Sequence, residues 1–349
     1  MRIKIAIFSC IVFNITVVFA QSGGKSIYEF LNVPTNARAV SLGGFASAIA
    51  DSDVLVSTYN PAYIDEGLLG KLGLSYMDYF GDMKMTTAAY AFKVKKFGVI
   101  LPSIQYFSYG KFTETDEYNN TLGEFNPYDV AINFGASKKL ANLLTGGVNL
   151  KFIHSNMYQW KSFGVGADAS ISYYNPDKKF AACFMLRNVG TQIKKYRKDN
   201  VEPFPTDVQL GISKKLAKAP FRLMVNAYNL NTWDLQYENP NFPKQTVDPL
   251  TGDTIKENKW EGYADNFMRH IALGLEFVPS RNFNVRVGYN YKIRQEMKVA
   301  TKTAMVGFSW GFGVRVNRFY LSYGRGIQHL SGAKNVFTIS TNINDFIKS

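Results

Sequence analysis

Residues 163–174 have the sequence FGVGADASISYY, and their pattern decides the fold class. Apolar side chains at alternate positions are separated by small or polar ones, namely Val165, Ala167, Ala169, Ile171 and Tyr173 against Gly166, Asp168, Ser170 and Ser172. A period of two predicts a β-strand with one apolar and one polar face. The run is about ten residues long, which is the length that a tilted strand needs to cross a bilayer.

The same alternation recurs from about Lys71 to the end of the chain, with further clear cases at 285–293 and 304–312. An even strand number is typical of single-chain outer-membrane barrels, and about 14 runs can be counted. They lie near 71–79, 84–94, 97–109, 129–139, 146–156, 163–174, 179–188, 206–214, 221–229, 268–278, 283–293, 301–310, 315–324 and 335–343. The sequence therefore predicts an all-β fold, a transmembrane antiparallel β-barrel.

The connections between the predicted strands differ in length at the two ends of the barrel. Those after even-numbered strands are short, such as 94–96 and 311–313. Several after odd-numbered strands are long, namely 110–128, 189–205, 230–267 and 325–334. Short turns at one rim and long loops at the other are typical of barrels in the bacterial outer membrane. We therefore expect that location, with both chain ends periplasmic and the long loops extracellular.

The composition argues against several other classes of protein. Of the 349 residues 15% are aromatic, the mean hydropathy is −0.14 and the formal net charge is +13. Such a hydropathy does not suit a bundle of membrane-spanning helices. No nucleic-acid recognition motif accompanies the basic charge, so we expect no nucleic-acid partner. Lysines in the predicted short turns instead suit contact with anionic headgroups of outer-membrane lipid and lipopolysaccharide.

The first 20 residues have the form of a secretory signal. Arg2 and Lys4 precede an apolar run that ends at Ala20. The residues that follow come before the first predicted strand, and a barrel of about this size has room for an internal plug. We predict three regions: a signal peptide at 1–20, an N-terminal hatch inside the lumen at 21–70, and the barrel at 71–349.

Within the predicted hatch, residues 37–64 have the sequence ARAVSLGGFASAIADSDVLVSTYNPAYI. Two adjacent glycines let backbone approach backbone closely. Pro61 fixes its own φ and favours an extended conformation at Asn60. We expect a compact, irregular segment with a short helical stretch near 43–50. Its predicted structural residues are Gly43, Gly44, Asp51, Asn60, Pro61 and Ala62.

The longest predicted loop, 230–267, is rich in aromatic residues interleaved with Asn, Pro and charged residues. A mobile surface loop is one interpretation. Clustered exposed apolar side chains more often mark an interaction site, and loops commonly carry binding residues. We therefore favour an ordered loop that faces a partner, with candidate binding residues Trp233, Tyr237, Phe242, Trp260 and Tyr263.

The sequence contains no recognisable catalytic set, so we predict that the protein is not an enzyme. Asp51 and Asp53 are flanked by Ser and Val, as in a turn or a helix cap. Gly311–Gly313 and Gly324–Gly326 are interpreted as strand-end turns rather than phosphate loops. The three histidines lie far apart, so we expect no metal site and no cofactor. Cys183 is interpreted as a packing residue.

The N-terminal motifs resemble those of the FadL-like outer-membrane superfamily. The matching residues are Ala37-Arg38-Ala39, Leu42-Gly43-Gly44, Asp51 and Asn60-Pro61-Ala62. The resemblance implies a barrel whose N-terminal hatch contains the Asn-Pro-Ala segment. It also implies one possible activity, the transport of hydrophobic small molecules across the outer membrane.

A narrower resemblance lies just upstream, at residues 27–34 with the sequence IYEFLNVP. Together with the Ala-Arg-Ala that follows, it is similar to the opening of the PorQ family of the type IX secretion system. This resemblance implies a non-catalytic barrel of the attachment complex, which anchors a PorZ-like surface partner beside PorU and PorV-like proteins. In that system, cargo is exported and joined to lipopolysaccharide. A PorV-like cargo shuttle is the related alternative.

Overall fold

The computed structural model describes residues 26–197, 202–236, 259–297, 305–329 and 332–347. The predicted signal peptide lies outside the described residues. The barrel strands are β1 (Lys71–Asp78), β2 (Lys84–Tyr90, continued after Ala91 by Phe92–Val94), β3 (Gly98–Ser108), β4 (Tyr128–Ala141), β5 (Leu144–Met157), β6 (Trp160–Asn175), β7 (Phe180–Lys194), β8 (Asp207–Lys215), β9 (Phe221–Ala227), β10 (Ile271–Phe277), β11 (Phe283–Asn290), β12 (Phe308–Val316), β13 (Phe319–His329) and β14 (Gly332–Asn342).

These strands form one closed antiparallel ring. Each strand pairs with its neighbours in sequence, and β1 pairs with β14 from Lys71 opposite Asn342 to Asp78 opposite Asn335. With the two pieces of β2 counted as one strand, the ring has fourteen strands. Closure leaves no sheet edge exposed, which is a requirement for a sheet in a bilayer. The predicted 14-stranded antiparallel barrel is therefore confirmed.

The two faces of the strands differ as the alternation predicts. In β6, Ser170 and Ser172 are buried, whereas 48% of Ile171 between them is exposed. Other strands turn large apolar side chains outward in the same way, among them Phe134, Phe152, Phe184, Trp310 and Phe337. An outer surface of this kind suits contact with lipid.

The N-terminal segment, defined here as residues 26–70, contains helices α1 (Ala37–Ser41) and α2 (Val54–Ser57) and three 3₁₀ turns (Glu29–Asn32, Pro61–Tyr63 and Glu66–Leu68). The predicted helix near 43–50 is wrong. Helix α1 lies earlier because Asn36 caps it, accepting a hydrogen bond from the Ala39 amide at 2.9 Å. Gly43 and Gly44 follow it with φ values of +84° and +97°, which a right-handed helix does not accommodate.

The contacts of the N-terminal segment run across the inside of the ring. Helix α1 packs against β12, β13 and β14. The turn Pro61–Tyr63 packs against β4, β5 and β6 on the other side. The segment therefore lies in the lumen between the two halves of the wall.

The connection lengths define a turn end and a loop end of the barrel. At the turn end the connections between strands have two to five residues, such as 142–143 and 278–282. The long connections lie at the loop end: 109–127, with a hairpin (Phe112–Thr115 and Thr121–Phe125); 195–206; 228–270, with helix α3 (Lys259–Arg269); and 291–307, with helix α4 (Tyr291–Met297). Helix α5 (Asn344–Ile347) follows β14. Among the described residues, no helix has the length and apolar character to cross a membrane.

Three predictions near the C-terminal strands are wrong. Gly311–Gly313 lies inside β12 and Gly324–Gly326 inside β13, whereas the turn is at 317–318. Most of the predicted loop 325–334 is strand. The glycines provide space rather than turns, because a Cβ on Gly324 would lie 2.3 Å from the carbonyl oxygen of Ala37 in α1.

Candidate functional site

Gly43, the first of the two adjacent glycines in the N-terminal segment, touches the barrel wall directly. The Gly43 amide donates a hydrogen bond to Ser309 Oγ in β12 at 3.0 Å. Its carbonyl oxygen accepts one from Asn290 Nδ2 in β11 at 3.2 Å. A side chain at Gly43 would lie 3.2 Å from the carbonyl oxygen of Tyr289. Gly43 thus has the close backbone approach that was predicted for the glycine pair, and Gly44 follows it in the same left-handed region.

Glycines on the inner wall receive the segment at several points. A Cβ on Gly288 would lie 2.1 Å from the Gly43 nitrogen, and one on Gly147 would lie 2.2 Å from the Ala62 nitrogen. A Cβ on Gly211 would meet the Ser47 hydroxyl closely. The inward glycines therefore let the segment pack against the wall without an intervening side chain.

The Asn60-Pro61-Ala62 motif fastens the segment to β6. Asn60 Oδ1 accepts a hydrogen bond from the Ala62 amide at 3.0 Å, which caps the following turn. Asn60 Nδ2 donates to the Ser47 carbonyl oxygen at 2.6 Å and to Ser172 Oγ at 3.1 Å. A single buried side chain thus organises its own turn and ties it to both the segment and the wall.

An ionic cluster joins the segment to the wall near the turn end; its members are Arg38, Asp51, Asp53, Arg222, Glu276 and Arg286. Arg38 pairs with Glu276 through two hydrogen bonds of 3.0 and 2.9 Å. Asp51 pairs with Arg38 at 2.6 Å and with both terminal nitrogens of Arg222 at 2.6 and 2.7 Å. Arg286 donates to Glu276 Oε1 at 2.9 Å. Three guanidinium groups and three carboxylates therefore balance in charge.

The cluster favours the charged forms of Arg38 and Asp51. Burial by itself would lower the pKa of Arg38, but the nearby carboxylates of Glu276, Asp51 and Asp53 hold that pKa well above its ordinary value. Burial would raise the pKa of Asp51, but Arg38 and Arg222 hold it well below its ordinary value. Opposite charges at close range outweigh desolvation here.

The predicted roles of Asp51 and Asp53 are only partly right. Asp53 is a helix cap as predicted, since its Oδ1 accepts from the amides of Leu55 and Val56 at 3.2 and 3.3 Å. Asp51 is an ion-pair partner instead. Sequence reasoning missed Glu276 and Arg286, although both occupy the inward phase of their strands and face each other across the β10–β11 pairing.

A second feature is the loop-end cavity, of about 470 Å³, between the N-terminal segment and the loops. Aromatic side chains contribute much of its lining, namely Phe30, Phe45, Tyr79, Phe107, Tyr109 and Tyr228. Lys334 also lines it, with only 6% of the residue exposed and its ammonium 5.5 Å from the centre of the Tyr79 ring. The rest of the lining includes charged side chains of both signs, namely Glu29, Arg187, Asp207, Lys292 and Glu296. The cavity thus combines aromatic and charged surface, which suits an amphipathic molecule.

The candidate partner-binding residues lie partly within the described loop. Trp260 and Tyr263 stand on one face of α3 with Phe267, with exposures of 82%, 62% and 53%. Trp233 is also exposed and stacks on His270 at 5.2 Å. Tyr237 and Phe242 lie outside the described residues. The structure therefore brings three predicted residues to the loop end and adds Phe267.

His270 holds this loop against the barrel. Its Nδ1 lies 2.8 Å from the carbonyl oxygen of Tyr228, and its Nε2 lies 3.0 Å from that of Trp233. Asn266 of α3 adds a bond of 2.9 Å from the Leu235 amide to its Oδ1. Contacts of His270 and Asn266 therefore hold α3, with its exposed aromatic residues, in a defined position at the loop end.

Cys183 has the packing role that was predicted. It is buried with Ala181 and Met185 of β7 and with Ala48 and Tyr59 of the N-terminal segment. Its thiol donates to the Ser47 carbonyl oxygen at 3.1 Å. The residue is thus part of the contact between segment and wall.

Searches against known proteins give structural neighbours only. No protein-family model matches the chain, and no curated protein matches it. Similar solved structures include the CymD monoaromatic hydrocarbon channel, with 14% identity, a TM-score of 0.49 and coverage of 88% of this chain and 97% of that one. The Ralstonia pickettii toluene transporter TbuX has 10% identity, a TM-score of 0.47 and coverage of 90% and 99%. A Pseudomonas aeruginosa FadL homologue has 11% identity, a TM-score of 0.45 and coverage of 88% of this chain and 98% of that one.

Proposed function

We propose that this outer-membrane barrel is a non-catalytic anchor that holds a partner protein at the cell surface through its longest loop. In this proposal the loop end is extracellular and the turn end is periplasmic. The observation that carries it is the row of exposed aromatic side chains on α3, namely Trp260, Tyr263 and Phe267. Aromatic residues are enriched where proteins bind one another, and a rigid support lowers the entropic cost of binding.

The filled lumen supports an anchor rather than an open pore. The N-terminal segment contacts glycines of the wall at Gly147, Gly211 and Gly288, where a Cβ would collide with it. In this proposal the segment acts as a permanent hatch. The resemblance to the PorQ family then gives the partner its class: a PorZ-like surface protein, beside PorU and PorV-like proteins that attach cargo to lipopolysaccharide.

The test compares loop variants in the native membrane. Trp260→Ala/Tyr263→Ala is expected to leave the barrel folded and to release the PorZ-like protein from the outer-membrane fraction. Tyr118→Ala is the matched control, since Tyr118 is an exposed aromatic residue in a different loop. Retention of the PorZ-like protein by the double variant, or its equal loss from the control, would reject the proposed surface. Normal cargo attachment in a deletion strain would reject the secretion role.

A second candidate function is uptake of a hydrophobic small molecule, favoured by the loop-end cavity. Its volume of about 470 Å³ lies within the range of small-molecule sites. The neighbouring structures named above include channels for monoaromatic hydrocarbons and toluene. Purified protein would be titrated with toluene and with a medium-chain fatty acid in ligand-observed NMR. Loss of fatty-acid binding in Lys334→Met, with toluene binding retained, would support an amphipathic ligand. If the wild type bound neither molecule, the uptake function would be rejected.

A further inference from the structure

The turn end contains a basic cavity that neither proposed function uses. This turn-end vestibule has a volume of about 490 Å³, and members of the ionic cluster form part of its lining. Seven cationic side chains line it, Arg38, Lys71, Lys215, Arg222, Arg281, Arg315 and Arg318, against four acidic ones, Asp51, Asp53, Glu276 and Asp345. The lining therefore has a cationic excess.

The excess comes from lining residues outside the ionic cluster, namely Lys71, Lys215, Arg281, Arg315 and Arg318 against Asp345. Asp51, Asp53 and Glu276 are engaged by the arginines of the ionic cluster. Arg315 and Arg318 form no ion pair within the described part of the chain. Arg315 lies 6.0 Å from the Tyr320 ring centre and Arg318 lies 5.0 Å from that of Phe346. Their charges are thus available to an anion that enters from the rim.

Apolar side chains stand on the outer face of the wall at the same rim. Arg315 lies opposite Tyr320 in the inward phase of its strand, whereas Phe319 lies in the outward phase of β13. Phe319 opens β13, and its ring lies 5.7 Å from that of Phe346 in α5. Phe346 and the neighbouring Ile347 are both exposed. Arg315 and Arg318, which line one cavity, and the exposed apolar side chains at the same rim match the two parts of a membrane lipid, its headgroup phosphate and the start of its acyl chains.

We propose that the Arg315–Arg318 corner binds the phosphate of an anionic phospholipid headgroup in the adjoining leaflet. Arginine presents several N–H donors in a planar fork that fits phosphate oxygens. The acyl chains run outward over Phe319 and Phe346. This assignment requires only that the barrel lies in a bilayer, so it stands apart from both proposed functions.

The experiment uses the full-length protein in mild detergent. Phosphatidylglycerol and phosphatidylcholine with identical acyl chains are added in equal amounts, and retained lipid is counted by native mass spectrometry. The wild type is expected to retain phosphatidylglycerol preferentially. Arg315→Gln/Arg318→Gln should lower that retention roughly tenfold or more, since each basic residue contributes to anionic-lipid attraction. Arg318→Lys, which keeps the charge but loses the fork, should lose less.

The matched control is Lys138→Gln/Lys139→Gln, which removes two exposed charges from the turn end of β4. An equal loss in this control would show attraction by overall charge and would overturn the site. Phe346→Ser should weaken retention of the lipid without affecting capture of glycerol phosphate. Displacement of the lipid by millimolar inorganic phosphate would assign the corner to a free anion and overturn the lipid assignment. Heat-shifted migration on gels verifies that each variant is folded.

Discussion

Arg38 and Glu276, 238 positions apart in sequence, form a two-pronged ion pair that ties the N-terminal segment to β10. Glu276 is fully buried, and it also pairs with Arg222 at 2.8 Å and with Arg286 at 2.9 Å. One carboxylate thus serves three guanidinium groups. Because these charges are largely buried, loss of the Glu276 carboxylate would leave arginine charge in the cluster without its partner.

Glu276→Gln should destabilise the protein by about 3–5 kcal/mol, because it leaves buried arginine charge without its partner. Urea unfolding of the protein in lipid vesicles would measure the change in the free energy of unfolding. Glu66→Gln is the control: Glu66 pairs with Lys93 at 2.7 Å, but both side chains are largely exposed. Water screens that pair, so its loss should have little effect. Equal unfolding curves for Glu276→Gln and wild type would contradict the central role of the cluster.

The hold on the segment should weaken in acid. The pKa of Asp51 lies well below its ordinary value of 3.8 when folded, because Arg38 and Arg222 stabilise the carboxylate. A lowered pKa contributes stability that is complete above the unfolded pKa and is lost as the pH falls through the folded pKa. The contribution of Asp51 is therefore constant above about pH 4 and declines below it.

Limited digestion with pepsin between pH 5 and pH 2 would follow this release. The wild-type segment should become cleavable only below about pH 4. Asp51→Asn should be cleavable already at pH 5, while Asp177→Asn, at an exposed turn, should behave as wild type. A wild-type segment that is cleaved equally across the whole range would show that the cluster does not hold it.

Gly288→Ala should displace the N-terminal segment from the wall. The added Cβ would lie 2.1 Å from the Gly43 nitrogen and 2.4 Å from the Leu42 carbonyl carbon, so backbone has to move. Overpacking of this kind costs about 1–3 kcal/mol. We expect faster trypsin cleavage at Arg38 and a measurable rise in ion conductance in planar bilayers.

Gly262→Ala provides the comparison for that substitution. Gly262 lies in α3, and a Cβ there would meet nothing within 4 Å. Conductance and cleavage should therefore remain at wild-type values. If Gly288→Ala also left conductance and cleavage unchanged, the segment would not be packed tightly against the wall. Close packing could then not explain the inward glycines.

The period-two pattern was sufficient to predict the barrel, because lipid outside and a packed lumen inside impose opposite demands on neighbouring residues. Ile171 and Ser172 illustrate this for a single pair. The pattern could not distinguish glycines that form turns from those that make room, because the letter Gly is the same whether the backbone turns there or, as at Gly311 and Gly324, another part of the chain packs closely against it. That information belongs to the N-terminal segment, which meets them across the lumen.

The ionic cluster was hidden for a related reason. Its partners come from the segment and from β9, β10 and β11, so no local spacing brings them together. Inward charges such as Glu276 and Arg286 were the available signal, since a charge in the lumen phase needs a counter-charge. The register of β10 and β11 places these two opposite each other. The pairing of Arg38 with Glu276 could not be predicted in this way, because it depends on where the N-terminal segment lies in the lumen.

The last prediction concerns His270, which supports the loop that carries the aromatic face of α3. Both ring nitrogens face carbonyl oxygens, those of Tyr228 and Trp233. His270→Ala removes both contacts and the stacking on Trp233, so local opening of 228–236 should become easier. The ring donates at least one of these hydrogen bonds, which contributes roughly 1 kcal/mol, so amide exchange at Thr232 and Leu235 should accelerate about fivefold or more. His154→Ala is the control, because His154 Nδ1 has no hydrogen-bond partner among the described residues and its ring packs on Phe163 at 4.5 Å. Unchanged exchange in His270→Ala would mean that α3 is held by Asn266 and its neighbours alone, and the loop would then need no histidine to present its aromatic face.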